Sequence, residues 1–156
     1  MTEYMKKIRG FIGNDRLQTV GTSVHIYRDG KLLLQKRRDN GCWAEHGGYV
    51  ELGEIVEDAA RRELLEETGL TAHSLELIGV FSGEQLFYTY PNGDQVANLD
   101  IAYLCEDFSG KIAMQEDEVA GLQWFDIDDL PPNISPPSVP GLMKVVEVLR
   151  ARLCRN

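Results

Sequence analysis

Three glutamates in the middle of the chain have the spacing of one helix face. Residues 59–67 are strong helix formers without Gly or Pro, and Gly69 stands where a left-handed residue would end the helix. At about 100° of rotation per residue, Glu63, Glu66 and Glu67 fall within an arc of roughly 100°. Carboxylates this close repel one another unless a cation lies among them. An oxygen-only ligand set suits Mg²⁺ or Mn²⁺ far better than Zn²⁺.

A glycine-rich stretch precedes this helix. Gly47 and Gly48, with Gly53 following, would let the backbone approach an ion or a phosphate without a Cβ in the way. We therefore predict a flexible loop that leads into the helix N-terminus, with the carboxylates one to two turns later. A loop and a helix in this order are typical of a site that binds a metal and a phosphate.

The complete spacing resembles the Nudix box at every specified position. The match reads Gly48-x5-Glu54-x7-Arg62-Glu63-Leu64-x-Glu66-Glu67-x-Gly69-Leu70. The resemblance implies hydrolysis of a nucleoside diphosphate linked to a moiety X, by attack of water on phosphorus. The order of elements over about residues 19–153 also resembles the Nudix fold, which implies an α/β/α sandwich around a mixed sheet.

The resemblance assigns roles to the residues of the box. Glu63, Glu66 and Glu67 would be the carboxylates that bind Mg²⁺ or Mn²⁺, and the carbonyl of Gly47 would add a backbone ligand. Arg62 would orient the neighbouring carboxylates. Because these five positions match the family pattern, we expect metal binding and catalysis to depend on them.

Further roles fall outside the carboxylate face. Glu54 would shape the junction between loop and helix, or reach a second metal through water. Glu118 stands where the MutT-like branch of the family has a loop glutamate that acts as a base or an extra metal ligand, and Glu116 is the reserve candidate. Which of the two acidic residues has that role is left open.

Substrate contacts are expected at three positions. Arg37 closes a predicted strand just before the box, and a guanidinium there can hold a phosphate through two hydrogen bonds. Gly48 would allow the substrate to approach the backbone. Tyr88 lies within the range of a tyrosine seen in diadenosine polyphosphate hydrolases and is a candidate substrate contact, although its apolar strand favours a place in the core or the wall.

Two positions depart from the family pattern. His46 replaces the proline that usually precedes the paired glycines, which would leave the loop freer and could bring an imidazole to the substrate. Ile55 replaces a helix-capping serine. We expect Glu57 and Asp58, in the first turn, to compensate in part through the helix dipole.

Two functional classes remain open. One is an active pyrophosphohydrolase, and the other is a non-catalytic domain that senses a nucleotide or a nucleotide sugar. The intact set of box carboxylates favours the enzyme. The nature of X is undetermined, because motifs that mark relatives cleaving NADH or ADP-ribose are missing; a nucleoside triphosphate, a dinucleotide polyphosphate and a nucleotide sugar all remain possible substrates.

Bulk composition limits the other classes. The chain has 156 residues, the length of one domain, and a net charge of −9, which argues against general affinity for nucleic acid. It lacks both a run of 18 apolar residues and the apolar core of a signal peptide, so we expect no membrane segment. Three unpaired cysteines favour reduced thiols and a cytoplasmic location.

The remaining elements follow from hydrophobic periodicity. Residues 1–18 form an N-terminal arm in which 2–10 read as an amphipathic helix, suited to a lid, a packing element or a homodimer contact. The proline-rich segment 131–140 should be stiff and extended, and 141–153 should form a C-terminal helix. Strands are predicted at residues 19–27, 31–36, 75–81, 86–90, 96–105 and 122–125.

Overall fold

Two long strands, β1 (Leu17–Arg28) and β8 (Gln95–Cys105), lie parallel at the centre of the fold. The computed structural model describes residues 3–114 and 119–154. The other elements, in chain order, are α1 (Glu3–Ile12), β2 (Lys31–Arg37), β3 (Trp43–Ala44), β4 (His46–Tyr49), α2 (Val56–Thr68), β5 (Leu70–Ala72), β6 (Glu76–Phe81), β7 (Phe87–Thr89), β9 (Phe108–Gly110), β10 (Val119–Asp126) and α3 (Val139–Leu153).

The main sheet is mixed and has the order β10–β2–β1–β8–β6. Short strands extend it, since β3 pairs with β2, β4 with β1, and β7 with β8, whereas β5 and β9 form a separate two-stranded sheet. Every pair in the main sheet except β1–β8 is antiparallel. The arrangement confirms the predicted α/β architecture around a mixed sheet.

Alternating side chains of the sheet pack against helices on both of its faces. On one face, Val24 and Leu33 pack with Leu64 of α2 in a buried cluster. On the other face, Leu32 and Leu34 pack with one side of α3, which contributes Leu142, Val145, Val146 and Leu149. Each fully buried aliphatic side chain contributes roughly 1.5–3 kcal/mol, so these two clusters fix α2 and α3 on the sheet.

Two predictions about local structure are wrong. Gly47 and Gly48 lie in β4, antiparallel to β1, rather than in a flexible loop. The segment 131–140 is not extended throughout, because a 3₁₀ turn spans Pro136–Ser138 and α3 begins at Val139. Pro140 is tolerated there, since the first turn of a helix leaves its backbone N–H groups without intrahelical acceptors.

The N-terminal and C-terminal helices agree with the sequence analysis within two residues. α1 covers Glu3–Ile12 and α3 covers Val139–Leu153. In the described part of the chain, no helix has the length and apolarity needed to cross a bilayer.

Helix α2 begins without a side-chain cap and ends with a glycine C-cap. Ile55 occupies the N-cap position with extended backbone angles, and its side chain makes no capping hydrogen bond. Gly69 adopts the left-handed conformation at the C-terminus, and its N–H donates to Leu65 O. The first turn thus relies on Glu57 and Asp58 for favourable charge.

We expect Ile55→Ser to stabilise the protein. Ile55 is largely exposed, so little apolar burial is lost, and a serine hydroxyl can accept a hydrogen bond from the N–H groups of the first turn. The gain should be about 0.5–2 kcal/mol, measurable by urea unfolding. Ile55→Ala is the matched control, and equal stabilities of the two variants would contradict the capping argument.

Candidate active site

A cavity of about 790 Å³ opens between the sheet, α2 and the β7–β8 hairpin. Strands β1 and β8 form its floor, and α2 forms one wall. The cavity brings together these residues singled out from the sequence: Arg37, Gly47, Gly48, Arg62, Glu63, Glu66, Glu67 and Tyr88. Glu118 and Glu116 lie outside the described residues, so their assignment stays a prediction.

Arg62 lies among three glutamates. Its Nε and NH2 groups donate to the two carboxylate oxygens of Glu54 at 2.8 and 2.9 Å. Its NH1 group donates to Glu63 Oε1 at 2.7 Å and lies 3.5 Å from Glu66 Oε2. The guanidinium is therefore the cation that relieves repulsion on this helix face, and its role in orienting the carboxylates stays a prediction.

The environment separates the pKa values of two of these glutamates. Hydrogen bonds from Arg62 hold the pKa of Glu54 below its ordinary value. Burial raises the pKa of Glu63 above its ordinary value, and Arg62 offsets that effect only in part. The charged form is therefore less favoured at Glu63 than at Glu54, and a cation bound nearby would stabilise it.

Glu67 is buried and held separately from Arg62. Its Oε2 accepts hydrogen bonds from Gln35 Nε2 at 2.9 Å and from the backbone N–H of Gly47 at 3.0 Å. The same amide group of Gln35 donates to the carbonyl of Glu45 at 3.0 Å. One glutamine therefore links β2, the residue before β4 and the glutamate-bearing face of α2. The sequence analysis did not single out Gln35.

His46 is buried in strand β4, so the expectation that it makes the loop freer is wrong. Its ring is fully buried, and Nε2 lies 3.1 Å from Leu33 O. Since a carbonyl can only accept, Nε2 carries a hydrogen. Nδ1 lies 3.6 Å from Glu67 Oε2. The imidazole therefore packs behind Glu67 and does not line the cavity.

Close contacts require glycine at position 47 and favour it at position 48. A Cβ on Gly47 would lie 2.1 Å from Thr22 O, and φ there is +152°, which L side chains rarely adopt. A Cβ on Gly48 would lie 2.5 Å from the Glu63 carboxylate. The absence of side chains therefore lets β4 pair with β1 and leaves room for the Glu63 carboxylate above the strand.

The glutamates do not form a ready-made metal cage. Among residues 3–114 and 119–154, no three acidic, His or Cys side chains converge closely enough to hold an ion as they stand. Glu63 and Glu66 face Arg62, and Glu67 Oε2 is engaged by hydrogen bonds. The donor chemistry still fits a hard divalent cation, because α2 offers several carboxylate oxygens to the cavity and no His or Cys is among the described residues that line it.

The opposite wall combines Arg37 with several tyrosines. Arg37 is held by Asp39 through two hydrogen bonds of 2.9 and 2.7 Å. Tyr88 accepts a hydrogen bond from Asn40 at 2.9 Å and is half-buried, and its ring packs edge-on against Tyr90. These contacts place a fixed cation and aromatic surface across the cavity from α2.

The inner end of the cavity holds two carboxyls that the sequence analysis missed. Asp100 Oδ2 accepts a hydrogen bond from Ser23 at 2.8 Å. Burial and then the charge of Glu45 raise the pKa of Asp100 to about 7. Glu45 is half-buried as a residue, but its Oε2 is enclosed and has no hydrogen-bond partner. Alternation along β8 was the available signal, because Asn98 and Asp100 share one face.

The raised pKa of Asp100 predicts a pH-dependent stability. The folded state retains the proton up to about pH 7, whereas the unfolded chain releases it near pH 4. Stability should therefore fall as pH rises from about 4 to 7, by up to about 1.4 kcal/mol per pH unit from this group. Urea unfolding of Asp100→Asn should show a flatter profile over that window.

The exposed Asp107 just beyond β8 gives a matched control. Asp107→Asn should keep the wild-type slope. A wild-type slope that survives in Asp100→Asn would show that other groups cause the pH dependence.

Comparisons with known proteins agree with this geometry. The family model described as the NUDIX domain matches residues 17–145. The chain is 37% identical over 109 residues to an ADP-ribose pyrophosphatase of Methanocaldococcus jannaschii, covering 68% of this chain and 60% of that protein. It is 39% identical over 113 residues to an oxidized purine nucleoside triphosphate hydrolase of Danio rerio, covering 70% of this chain and 67% of that protein.

A solved structure has the same fold. The crystal structure of a MutT NUDIX hydrolase from Burkholderia pseudomallei superposes with a TM-score of 0.71 at 33% identity, and the match covers 83% of this chain and 98% of that one. Because the family model covers most of the chain and includes the whole glutamate-bearing helix, this protein belongs to the Nudix family.

Proposed function

We propose that this protein is a divalent-metal-dependent pyrophosphohydrolase that cleaves a nucleoside diphosphate linked to a moiety X. The observation that carries the proposal is the wall of α2, where Glu63, Glu66 and Glu67 face a cavity that Arg37 closes from the other side. Carboxylates can hold cations near the phosphates, and a guanidinium can hold phosphate oxygens directly. The α2 wall is thus suited to hold the diphosphate through metal ions, and the wall with Arg37 is suited to hold phosphate oxygens directly.

Glu63, Glu66, Glu67 and the carbonyl of Gly47 would hold Mg²⁺ or Mn²⁺. Bound there, a divalent ion supplies electrostatic stabilisation of charge growing on the phosphoryl oxygens and acidifies the attacking water. To serve as ligands, Glu63 and Glu66 must turn from Arg62, which keeps its paired hydrogen bonds to Glu54. Arg62 therefore retains an anchor when the glutamates move.

Gln35 acts in this proposal as a positioning residue for Glu67. Glu67 Oε2 accepts hydrogen bonds from Gln35 and from the Gly47 N–H, so Oε1 is the oxygen available to bind a metal ion. Fixing a carboxylate before the substrate binds reduces the entropy that must be lost in the complex.

Arg37 would contact the substrate phosphates while Asp39 holds it in place. Its Nε and NH2 groups are engaged by Asp39, so NH1 is the donor group left for phosphate. Glu118 is proposed as the loop base or further ligand, with Glu116 as the alternative.

These contacts do not determine which chemical group X is. One similar protein is named for ADP-ribose and another for oxidized purine nucleoside triphosphates, so the names of relatives point in different directions. A panel of nucleoside diphosphate-X compounds, assayed for released phosphate groups, tests the proposed activity. A non-catalytic sensor would bind members of this panel without cleaving them.

Glu66→Gln tests the metal role. Glu66 is about half exposed, and its contact with Arg62 is at the limit of a hydrogen bond, so its removal should leave the fold intact. We expect kcat to fall by about 100-fold or more, as for loss of one group that stabilises the transition state. Chelation of divalent ions should abolish wild-type turnover, and undiminished turnover after their removal would contradict the proposal.

The matched control for Glu66 lies on the same helix. Asp58 is exposed and does not line the cavity, so Asp58→Asn should retain wild-type kcat and metal dependence. Unfolding of Glu66→Gln without metal would instead make Glu66 a structural residue.

Gln35→Met tests the positioning role. The substitution keeps side-chain length and removes both hydrogen bonds, so Glu67 should lose part of its orientation. We expect the apparent affinity for Mg²⁺ or kcat to fall by about 10- to 100-fold, with little change in KM for the nucleotide. Gln123→Met, an exposed position on the neighbouring β10, makes the same chemical change away from the site. Unchanged metal dependence in Gln35→Met would refute the role.

A further inference from the structure

Helix α1 lies outside the matched family region but lines the cavity. The family model begins at residue 17, whereas α1 spans Glu3–Ile12. Met5 and Arg9 of this helix form part of the cavity wall. We propose that α1 is a specificity element that limits the size of the group X that the cavity accepts. This inference rests on the proposed function, because it concerns the substrate of that same cavity.

Met5 gives α1 an apolar face toward the cavity. It is 6% exposed and lines the cavity. Its neighbours on the outer side of the helix, Lys6 and Lys7, are exposed. A buried apolar side chain that also lines the cavity is placed to contact a ligand.

Arg9 holds α1 in place. NH1 donates to the carbonyls of Gly13 at 3.1 Å and Asp15 at 2.6 Å, which fixes the end of the helix. NH2 donates to the carbonyl of Gln95 at 2.7 Å, and Nε lies 3.6 Å from Asp94 Oδ1. The arginine therefore joins α1 to the start of β8, and we call this set of contacts the Arg9 latch.

The latch also supports the tyrosines on the adjoining wall. The hairpin that Arg9 contacts carries Tyr88 and Tyr90, and Tyr90 shares a 2.7 Å hydrogen bond with Tyr49 of β4. Arg16, just after α1, lies over the ring of Phe87 at 4.1 Å in the same hairpin. Helix and hairpin thus form one continuous wall.

The chemistry of this wall selects by shape instead of by charge. Both terminal nitrogens of Arg9 are used on backbone carbonyls, so Arg9 is occupied in holding the wall. Met5 and the rings of Tyr49 and Tyr90 offer apolar and aromatic surface. In this proposal the group that α1 contacts is therefore the base or sugar ring carried by X, while the phosphates lie toward α2.

The test compares a small X with a large X. A nucleoside triphosphate releases a small X, and a dinucleotide polyphosphate carries a second nucleoside as part of X. In Met5→Ala and in Arg9→Met, the ratio of kcat/KM for the large over the small substrate should rise by about tenfold or more, the discrimination that a few methylene groups provide. Lys6→Ala is the control, since Lys6 lies on the exposed face of the helix, where it pairs with Glu3.

The outcomes separate the two proposals. A ratio that changes less than twofold in Met5→Ala, or that changes equally in Lys6→Ala, overturns the role of α1. If Arg9→Met does not fold, Met5→Ala alone decides. If the wild type cleaves neither compound, the ratio of affinities for non-hydrolysable analogues of both, measured by equilibrium binding, replaces the ratio of kcat/KM. The proposed hydrolysis itself is overturned only if the whole panel of nucleoside diphosphate-X compounds is left uncleaved. Absence of binding to both analogues overturns the specificity role as well.

Discussion

The buried carboxylate of Glu67 joins three parts of the chain that are remote in sequence. Gln35 reaches it from β2, the N–H of Gly47 reaches it from β4, and its own backbone belongs to α2. Each of these hydrogen bonds has a buried carboxylate oxygen as its acceptor, so breaking one would cost more than breaking a bond on the surface. The position of α2 relative to the sheet is therefore tied through Oε2 to a carboxylate that also lines the cavity.

The second constraint is the repulsion among the glutamates, which the fold relieves in two ways. Arg62 offsets part of the negative charge of Glu54, Glu63 and Glu66, while Glu67 accepts hydrogen bonds from Gln35 and the Gly47 N–H. Repulsion on this face is therefore reduced without a metal, and carboxylate oxygens that Arg62 does not hold stay available as ligands. A paired arginine is suited to this because its planar fork can keep one carboxylate while releasing another.

The parts of this arrangement that were predictable are the local ones. Helix α2, its glycine cap and the common face of the three glutamates follow from spacing within about three turns. The pairing of Gln35 with Glu67 spans 32 residues and needs the fold, as does the strand at Gly47, where a residue with low strand propensity is required by the close approach of Thr22. His46 could not be placed from sequence either, since a histidine before two glycines is compatible with both a mobile loop and a buried ring.

Several features that cost stability gather around the cavity. Helix α2 lacks an N-cap side chain at Ile55, Asp100 holds a proton with a pKa of about 7, and Glu45 Oε2 is enclosed without a partner. The two core clusters beneath α2 and α3, by contrast, are built from aliphatic and aromatic residues with a single buried thiol. Destabilising features that are concentrated in one region of a protein are expected where its surface binds a ligand, because the residues there are not selected for stability alone. Of the two inner carboxyls, Asp100 already accepts a hydrogen bond from Ser23, so the enclosed Glu45 Oε2 is the acceptor that a donor-bearing ligand would satisfy.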